Sequence, residues 1–378
     1  MLRVGYLYEK ICTIENIREA HKHARKDKLF YKEVKMVDSD PDYYFAQIRD
    51  ILLNHTYKVG KYIVEVINES GKDRTLMKLP YFPDRIIQWA IILQIETHLA
   101  RTFHTCASLP GRGQDRCIKL TEAYLRDVKA TQYCLKIDIH HFYPSIDREI
   151  LKQKLRRIFK DPELLWLLDL IIDSPPGDRG IPIGSYLSQY LANFYLSDLD
   201  HKIKEVYHFK EVVRYMDDMT LYSSSKKRLQ FFLHNDLMWL LEKEYHLELK
   251  GNYQVFPVDD RGVDFCGYVF YHGYTRLRRR TKERMIERML ELRKKYDDGK
   301  MITEHDFGTF NAYQGILSHC NGFHLWEKYM EPVIPAIELY RKTHKMKAYK
   351  VHPKFERRIA TSLPDDTVYE QMAMINDL

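Results

Sequence analysis

The sequence predicts an α+β fold in which helices and strands are mixed up to about residue 270 and helices alone follow. Three observations predict it. Segments with apolar residues at helical spacing alternate with short β-branched runs in the first part, and from Arg276 only helical periodicity remains. Cys134-Leu135-Lys136-Ile137-Asp138-Ile139 reads as a strand with Leu135, Ile137 and Ile139 on one face and Lys136 and Asp138 on the other. Val212-Val213-Arg214 and Met219-Thr220-Leu221-Tyr222 flank the acidic tip Tyr215-Met216-Asp217-Asp218, which reads as a β-hairpin.

The elements follow in order. Ile11, Ile14, Ile17 and Ala20 mark a helix from Glu9 to about Lys28, and a second helix runs from about Pro41 to Leu53. Tyr57 to Val66 and Arg74 to Leu79 form a hairpin around the polar turn at residues 68–73. Pro83 precedes a long apolar helix from Arg85 to Leu99, and another helix spans 115–129. After the Asp138 strand, residues 147–173 are helical until Pro175-Pro176-Gly177 breaks the run. A helix from about Tyr186 to Lys204 leads to the acidic hairpin, then a helix over 226–244 and strands near 247–256 and 262–270. Arg276 to Arg280 leads into a helix whose Met285, Met289 and Leu292 share a face, and helical stretches near 304–320 and 324–343 suggest a helical appendage. The tail from Lys345 is basic to Arg358 and polar beyond it.

The formal net charge of +7 on 378 residues favours a polyanionic partner, and 28 Tyr and 17 Phe supply rings suited to stacking on bases. The six cysteines contain no CxxC pair, so neither a zinc knuckle nor a disulfide framework is expected, and a reducing cytoplasm fits. No apolar run approaches the ~20 residues of a membrane span, so no membrane partner is expected.

If the two acidic elements pair, Asp138, Asp217 and Asp218 converge. An isolated Asp-Asp is most often a solvated turn, but three converging carboxylates repel one another unless divalent cations neutralise them. Hard oxygen ligands suit Mg2+, and two such ions assist phosphoryl transfer.

With these residues in view, roughly residues 10–340 resemble reverse transcriptases of the prokaryotic retroelement group. The resemblance rests on Asp138-Ile139-His140-His141-Phe142-Tyr143-Pro144-Ser145-Ile146-Asp147, then Gly180-Ile181-Pro182-Ile183-Gly184-Ser185-Tyr186-Leu187-Ser188-Gln189, then Tyr215-Met216-Asp217-Asp218, in that order. It implies a right-hand polymerase fold: an N-terminal helical extension (1–55), fingers (56–130), a palm with inserted finger elements (131–270), a helical thumb (271–344) and a tail (345–378). It implies that Asp138 and Asp217 hold two Mg2+ ions, for which Mn2+ can substitute, with Asp218 assisting and the Ile139 carbonyl completing one coordination sphere. Tyr143 falls at the steric gate, where a ring leaves no volume for a 2′-hydroxyl; its neighbour Phe142 reads as core. Arg74, with Lys72 as a neighbour, falls where the incoming triphosphate is met, and Ile183, Gly184 and Gln189 fall in the nucleotide site. Arg85, Arg112, Tyr215, Phe265, Gly267 and the run Arg278-Arg279-Arg280 fall where primer or template is held, although Phe265 reads equally as palm core and the basic run as a solvated helix face. The lysine expected to donate a proton to pyrophosphate is not evident: Lys250 follows Leu247-Glu248-Leu249, whereas the common spacing points near Tyr253.

Two departures matter. Most relatives carry Gln at the position of Ile183 and Pro at that of Gln189. The Ile-Gly-x-x-x-Ser-Gln pattern instead resembles reverse transcriptases of diversity-generating retroelements and implies reduced fidelity. The expected function is RNA-directed synthesis of cDNA from dNTPs, with an RNA template or noncoding RNA, the DNA product and a small basic accessory or second system protein as partners, in a bacterial cytoplasm and encoded by the bacterium or a phage. Two alternatives stand beside it. One is a defence reverse transcriptase making repetitive or untemplated DNA from a dedicated noncoding RNA. The other is an RNA-binding scaffold with a vestigial site, against which the intact Asp138, Asp217 and Asp218 argue. No RNase H or zinc-bearing endonuclease segment is expected.

Overall fold

A computed structural model describes residues 3–69, 72–107, 109, 111–347 and 349–355. The chain forms two compact units. One comprises the chain up to Cys117 together with Ala130–Phe256; the other comprises Ile118–Lys129 and the chain from Pro257 onward. Among the described residues the strands are β1 (Ile63–Glu69), β2 (Lys72–Lys78), β3 (Tyr133–Asp138), β4 (Val212–Tyr215), β5 (Asp218–Ser223), β6 (Gln254–Pro257), β7 (Val263–Phe265), β8 (Tyr268–Tyr271) and β9 (Tyr274–Leu277). They form three sheets of order β1-β2, β4-β5-β3-β6 and β7-β8-β9. With helices before and between them, the α+β class holds. No helix among the described residues is long and apolar enough to cross a membrane.

The first unit is built around the helix Ile86–Ala100. Its apolar residues face all directions, and Ile87, Ala90, Ile91, Ile92, Ile95 and Leu99 are all buried, as expected of a helix central to a core. The helix Pro41–Leu53 starts and stops where its sequence says. Asp40 accepts a hydrogen bond from the Tyr43 N–H, and Pro41 occupies the first turn. The first hairpin starts later than expected, because residues 57–62 are diverted from β1, and its strands run into the expected turn as far as Glu69 and Lys72. The Tyr57 hydroxyl and the Gly60 N–H both donate to Asp84 Oδ1, at 2.7 and 2.9 Å.

The expected helix over 147–173 is two helices, Arg148–Ile158 and Pro162–Asp173. Asp161 and Pro162 make the break. Asp161 caps the second helix through the Leu164 N–H, while its other oxygen accepts from the Leu7 and Tyr8 N–H groups at 2.7 and 3.0 Å. A helix Lys32–Ser39 was not expected, and the helix from Tyr186 turns at Leu196 before Ser197–His201 and a wider turn at Lys202–Val206. Residues 247–250 form only an isolated bridge, Leu249 with Ile139, so β6 begins later than expected.

In the second unit, β9 takes up Arg276 and Leu277 at the start of the basic run, and the helix it leads into spans Arg279–Asp297 with Met285, Met289 and Leu292 buried. The stretch after residue 323 is fragmented by Pro332 and Pro335 before the helix Ile334–Thr343. The division between units falls at Phe256/Pro257. The physical reason is that β7–β9 form their own sheet, tied to residues of the same unit. Thr275 donates to Glu122 at 2.8 Å, and the Tyr268 hydroxyl donates to the Ile316 carbonyl at 3.0 Å. Of the expected tail, residues 356–378 lie outside the described residues.

Candidate active site

Strand register brings the acidic residues together. β3 and β5 run antiparallel with Asp138 directly opposite Asp218, and Tyr215 faces Asp218 across the β4–β5 hairpin. Only Met216 and Asp217 remain for the turn. Met216 takes φ 57°, the left-handed value that a two-residue hairpin requires at its first turn position. A side chain other than glycine is strained there, by roughly 1–2 kcal/mol. Arg214 holds the turn closed. It is 2% exposed and donates to the Met216 carbonyl at 2.9 Å, to both oxygens of Asp200 at 2.7 and 2.5 Å, and to Asn193 Oδ1 at 3.3 Å.

The carboxylates themselves are under-satisfied. Asp138 Oδ1 and Asp218 Oδ1 are buried and accept no hydrogen bond. Burial, and then the charge of Asp138, pushes the Asp217 carboxyl up to about 6. Burial likewise pushes Asp218 up to about 6, opposed by Lys136, whose ammonium lies 3.5 Å from Asp218 Oδ2. Lys250 donates to Asp138 Oδ2. Buried anionic oxygens without donors are costly unless a cation meets them. The donor set is all oxygen, so the residues present fit hard divalent ions such as Mg2+. Ile139, next along the chain, is buried and bridged to Leu249.

Tyr143 sits on the helical turn Phe142–Ser145, half-buried against the core, with Phe142 fully inside. Burial raises its hydroxyl pKa, followed by the charges of Asp217 and Tyr215, while Arg74 lowers it. The ring thus shares a neighbourhood with Asp217 and with Arg74, which stands exposed on β2 opposite Ile67. Lys72 begins β2, and its side chain lies outside the described residues.

The Ile183 carbonyl accepts from the Met77 N–H at 2.9 Å, which joins the segment before Gly184 to β2. Gly184 has φ 117°, which L side chains rarely adopt. A cavity of about 450 Å³ is lined by Lys78, Arg85, Gln88, Gly184, Tyr186 and Gln189 among others. Ser185 caps the helix Tyr186–Tyr195 and donates to Gln88 Oε1 at 2.6 Å; Trp89 stacks on Tyr186 with ring centroids 4.5 Å apart.

Other predicted residues stand elsewhere. Arg112 turns into its own loop and donates to the Phe103 and Thr105 carbonyls at 2.9 and 3.1 Å. In the second unit Phe265 is fully buried, and Gly267 closes the β7–β8 turn with φ 86°. Arg278 donates to Asp264 at 2.6 Å, Arg279 pairs with Glu283, and Arg280 is exposed.

Sequence reading missed Arg214 with Asp200, and it left Lys250 unassigned. A signal for Arg214 was present, namely a cation inside the apolar run Val212-Val213-Arg214. Asp200 carried none, and for Lys250 the sequence offered a candidate lysine but not its partner Asp138, 112 residues away along the chain.

A family model described as reverse transcriptase (RNA-dependent DNA polymerase) matches residues 66–269. Protein YkfC of Escherichia coli (strain K12) is 26% identical over 173 residues, which covers 42% of this chain and 45% of that protein. The chain therefore spans less than half the length of this curated relative. Among solved structures, telomerase from Candida albicans in complex with a TWJ fragment of telomeric RNA aligns with TM-score 0.46 at 10% identity, over 78% of this chain and 62% of that one. Apo telomerase from Candida tropicalis aligns with TM-score 0.48 at 10% identity, over 76% and 59%.

Proposed function

The chain belongs to the reverse transcriptase family, and on that premise we propose that it is an RNA-directed DNA polymerase that copies an RNA template into cDNA from dNTPs. The observation that carries the reading is the pair of buried, donor-less oxygens on Asp138 and Asp218, aligned across β3–β5 beside Asp217. Asp138 and Asp217, with Asp218 and the Ile139 carbonyl, would hold two Mg2+ ions, or Mn2+ in their place, which supply charge neutralisation and activation of an oxygen nucleophile. In the reaction the primer 3′-oxygen forms a bond to the α-phosphorus, the bond to the β-phosphate breaks, and pyrophosphate departs. Tyr143 forms the floor under the sugar and excludes a 2′-hydroxyl. Arg74 meets the triphosphate with planar paired donors. Lys136 and Lys250 balance part of the carboxylate charge before substrate arrives.

The finer role we propose is mutagenic cDNA synthesis in a diversity-generating retroelement, with a small basic accessory protein as partner and the bacterial cytoplasm as its place. The Ile183-Gly184 to Ser188-Gln189 pattern supports it. Ile183 offers shape but no hydrogen bond near the nascent pair. The test is extension of a DNA primer on one defined RNA with dNTPs and Mg2+, followed by sequencing. Template-matched products with frequent substitutions are expected. Accurate or template-independent repetitive products would favour the defence reading, and RNA binding without any extension would favour the vestigial scaffold.

A further inference from the structure

A second cluster of metal-ligating side chains lies in the first unit and is chemically unlike the aspartates. His104 comes from the loop after the helix Ile86–Ala100, and His201 and Glu205 come from successive turns of the segment Ser197–Val206. One ligand atom from each lies within 4.8 Å of the other two, and His201 Nδ1 is 2.7 Å from Glu205 Oε1. The two imidazoles meet edge to face with centroids 4.5 Å apart. This donor set of two nitrogens and one carboxylate oxygen suits zinc-class ions, whose Zn–N and Zn–O bonds of about 2.0–2.2 Å need only modest side-chain adjustment here. It is a poor set for Mg2+, which prefers oxygens.

The loop that presents His104 is already ordered. Phe103 and Thr105 on either side are buried, and their carbonyls accept from the Arg112 guanidinium. Thr105 Oγ1 and the Cys106 N–H both donate to the Arg214 carbonyl, at 3.2 and 2.9 Å. On the other side of the cluster, His201 directly follows Asp200, the carboxylate that anchors Arg214.

We propose that His104, His201 and Glu205 bind one divalent transition-metal ion of the zinc class, with water in the remaining position. The ion staples the 103–107 loop to the segment carrying Asp200, and both of these contact Arg214, which holds the Met216 turn. The site is thus a brace behind the catalytic hairpin, separate from the oxygen-only site at its tip.

The test uses the full chain without a histidine tag, stripped with chelator and then titrated with Zn2+ or Co2+ in excess Mg2+. One equivalent of Zn2+ is expected to remain bound, and Co2+ is expected to give the strong visible absorption of a tetrahedral nitrogen–oxygen site. His104→Ala and His201→Ala should each weaken binding at least tenfold, and Glu205→Gln severalfold, while circular dichroism stays unchanged because the side chains lie at the surface. Asp217→Asn should leave Zn2+ binding intact, so the outcome is independent of polymerase activity. Zn2+ should also slow amide exchange over 104–107 and 212–218 in the wild type only. Equal binding by wild type and both histidine variants overturns the site, as does loss of the tightly held Zn2+ in Asp217→Asn. Binding without slowed exchange overturns the brace.

Discussion

Two clusters of buried charge share the β4–β5 hairpin, and they are built in opposite ways. Just behind its tip, Arg214 and Asp200 are almost completely excluded from solvent, with side chains 1% and 3% exposed, and the guanidinium is further bonded to Asn193 and Met216. At its tip, three carboxylates face two partly exposed lysines, and two of their oxygens have no donor. A fully paired ionic cluster has no capacity left for a ligand and serves to hold geometry. An under-paired one carries a standing electrostatic cost that a bound cation, or a proton, relieves. The same kind of residue, an aspartate, is fully paired at position 200 and keeps an oxygen without a donor at positions 138 and 218.

Paired substitutions put that contrast to its strongest test. Asp217→Asn removes a charge that burial disfavours, so primer extension should fall by at least about a thousandfold, equivalent to ~4 kcal/mol in the transition state, while the urea midpoint holds or rises. Asp200→Asn leaves the Arg214 charge buried without its partner and should lose roughly 3–5 kcal/mol of folding stability. If Asp200→Asn proved as stable as Asp217→Asn, the division into scaffold and site would collapse.

Smaller effects sharpen the picture around the tip. Tyr143→Ala opens the volume beneath the sugar and should raise ribonucleotide use by about tenfold to a hundredfold, the scale on which one added group is discriminated in a pocket. Single-nucleotide incorporation with rNTP and dNTP measures this, and unchanged discrimination would make Tyr143 a core ring only. The least change is expected from Ile183→Gln. One recovered contact of ~1.4 kcal/mol would lower misincorporation about tenfold, as read by sequencing cDNA made on a single RNA. A wild-type enzyme that is already accurate, and is unaffected by this substitution, would remove the mutagenic role.

What local chemistry alone settled is visible in elements such as Pro41–Leu53 and β3. A capping Asp with a following Pro, or a strict alternation of Leu135, Lys136, Ile137 and Asp138, depends only on backbone geometry over a few residues. The acidic hairpin was legible for the same reason, and so were Asp138, Asp217 and Asp218 as its candidate site. Tertiary structure decided the rest. Asp161-Pro162 divides one apparent helix by the same local signal as Asp40-Pro41, whereas only folding brings its second oxygen to the Leu7 and Tyr8 N–H groups, more than 150 residues away. Lys250 reaches Asp138, and Asp200 reaches Arg214, through folding that no spacing rule encodes. Patterning specifies which face a side chain takes. Which charge it meets there depends on the closure of long loops, and so whether a buried aspartate is satisfied or left open to a cation could be read only after the chain had folded.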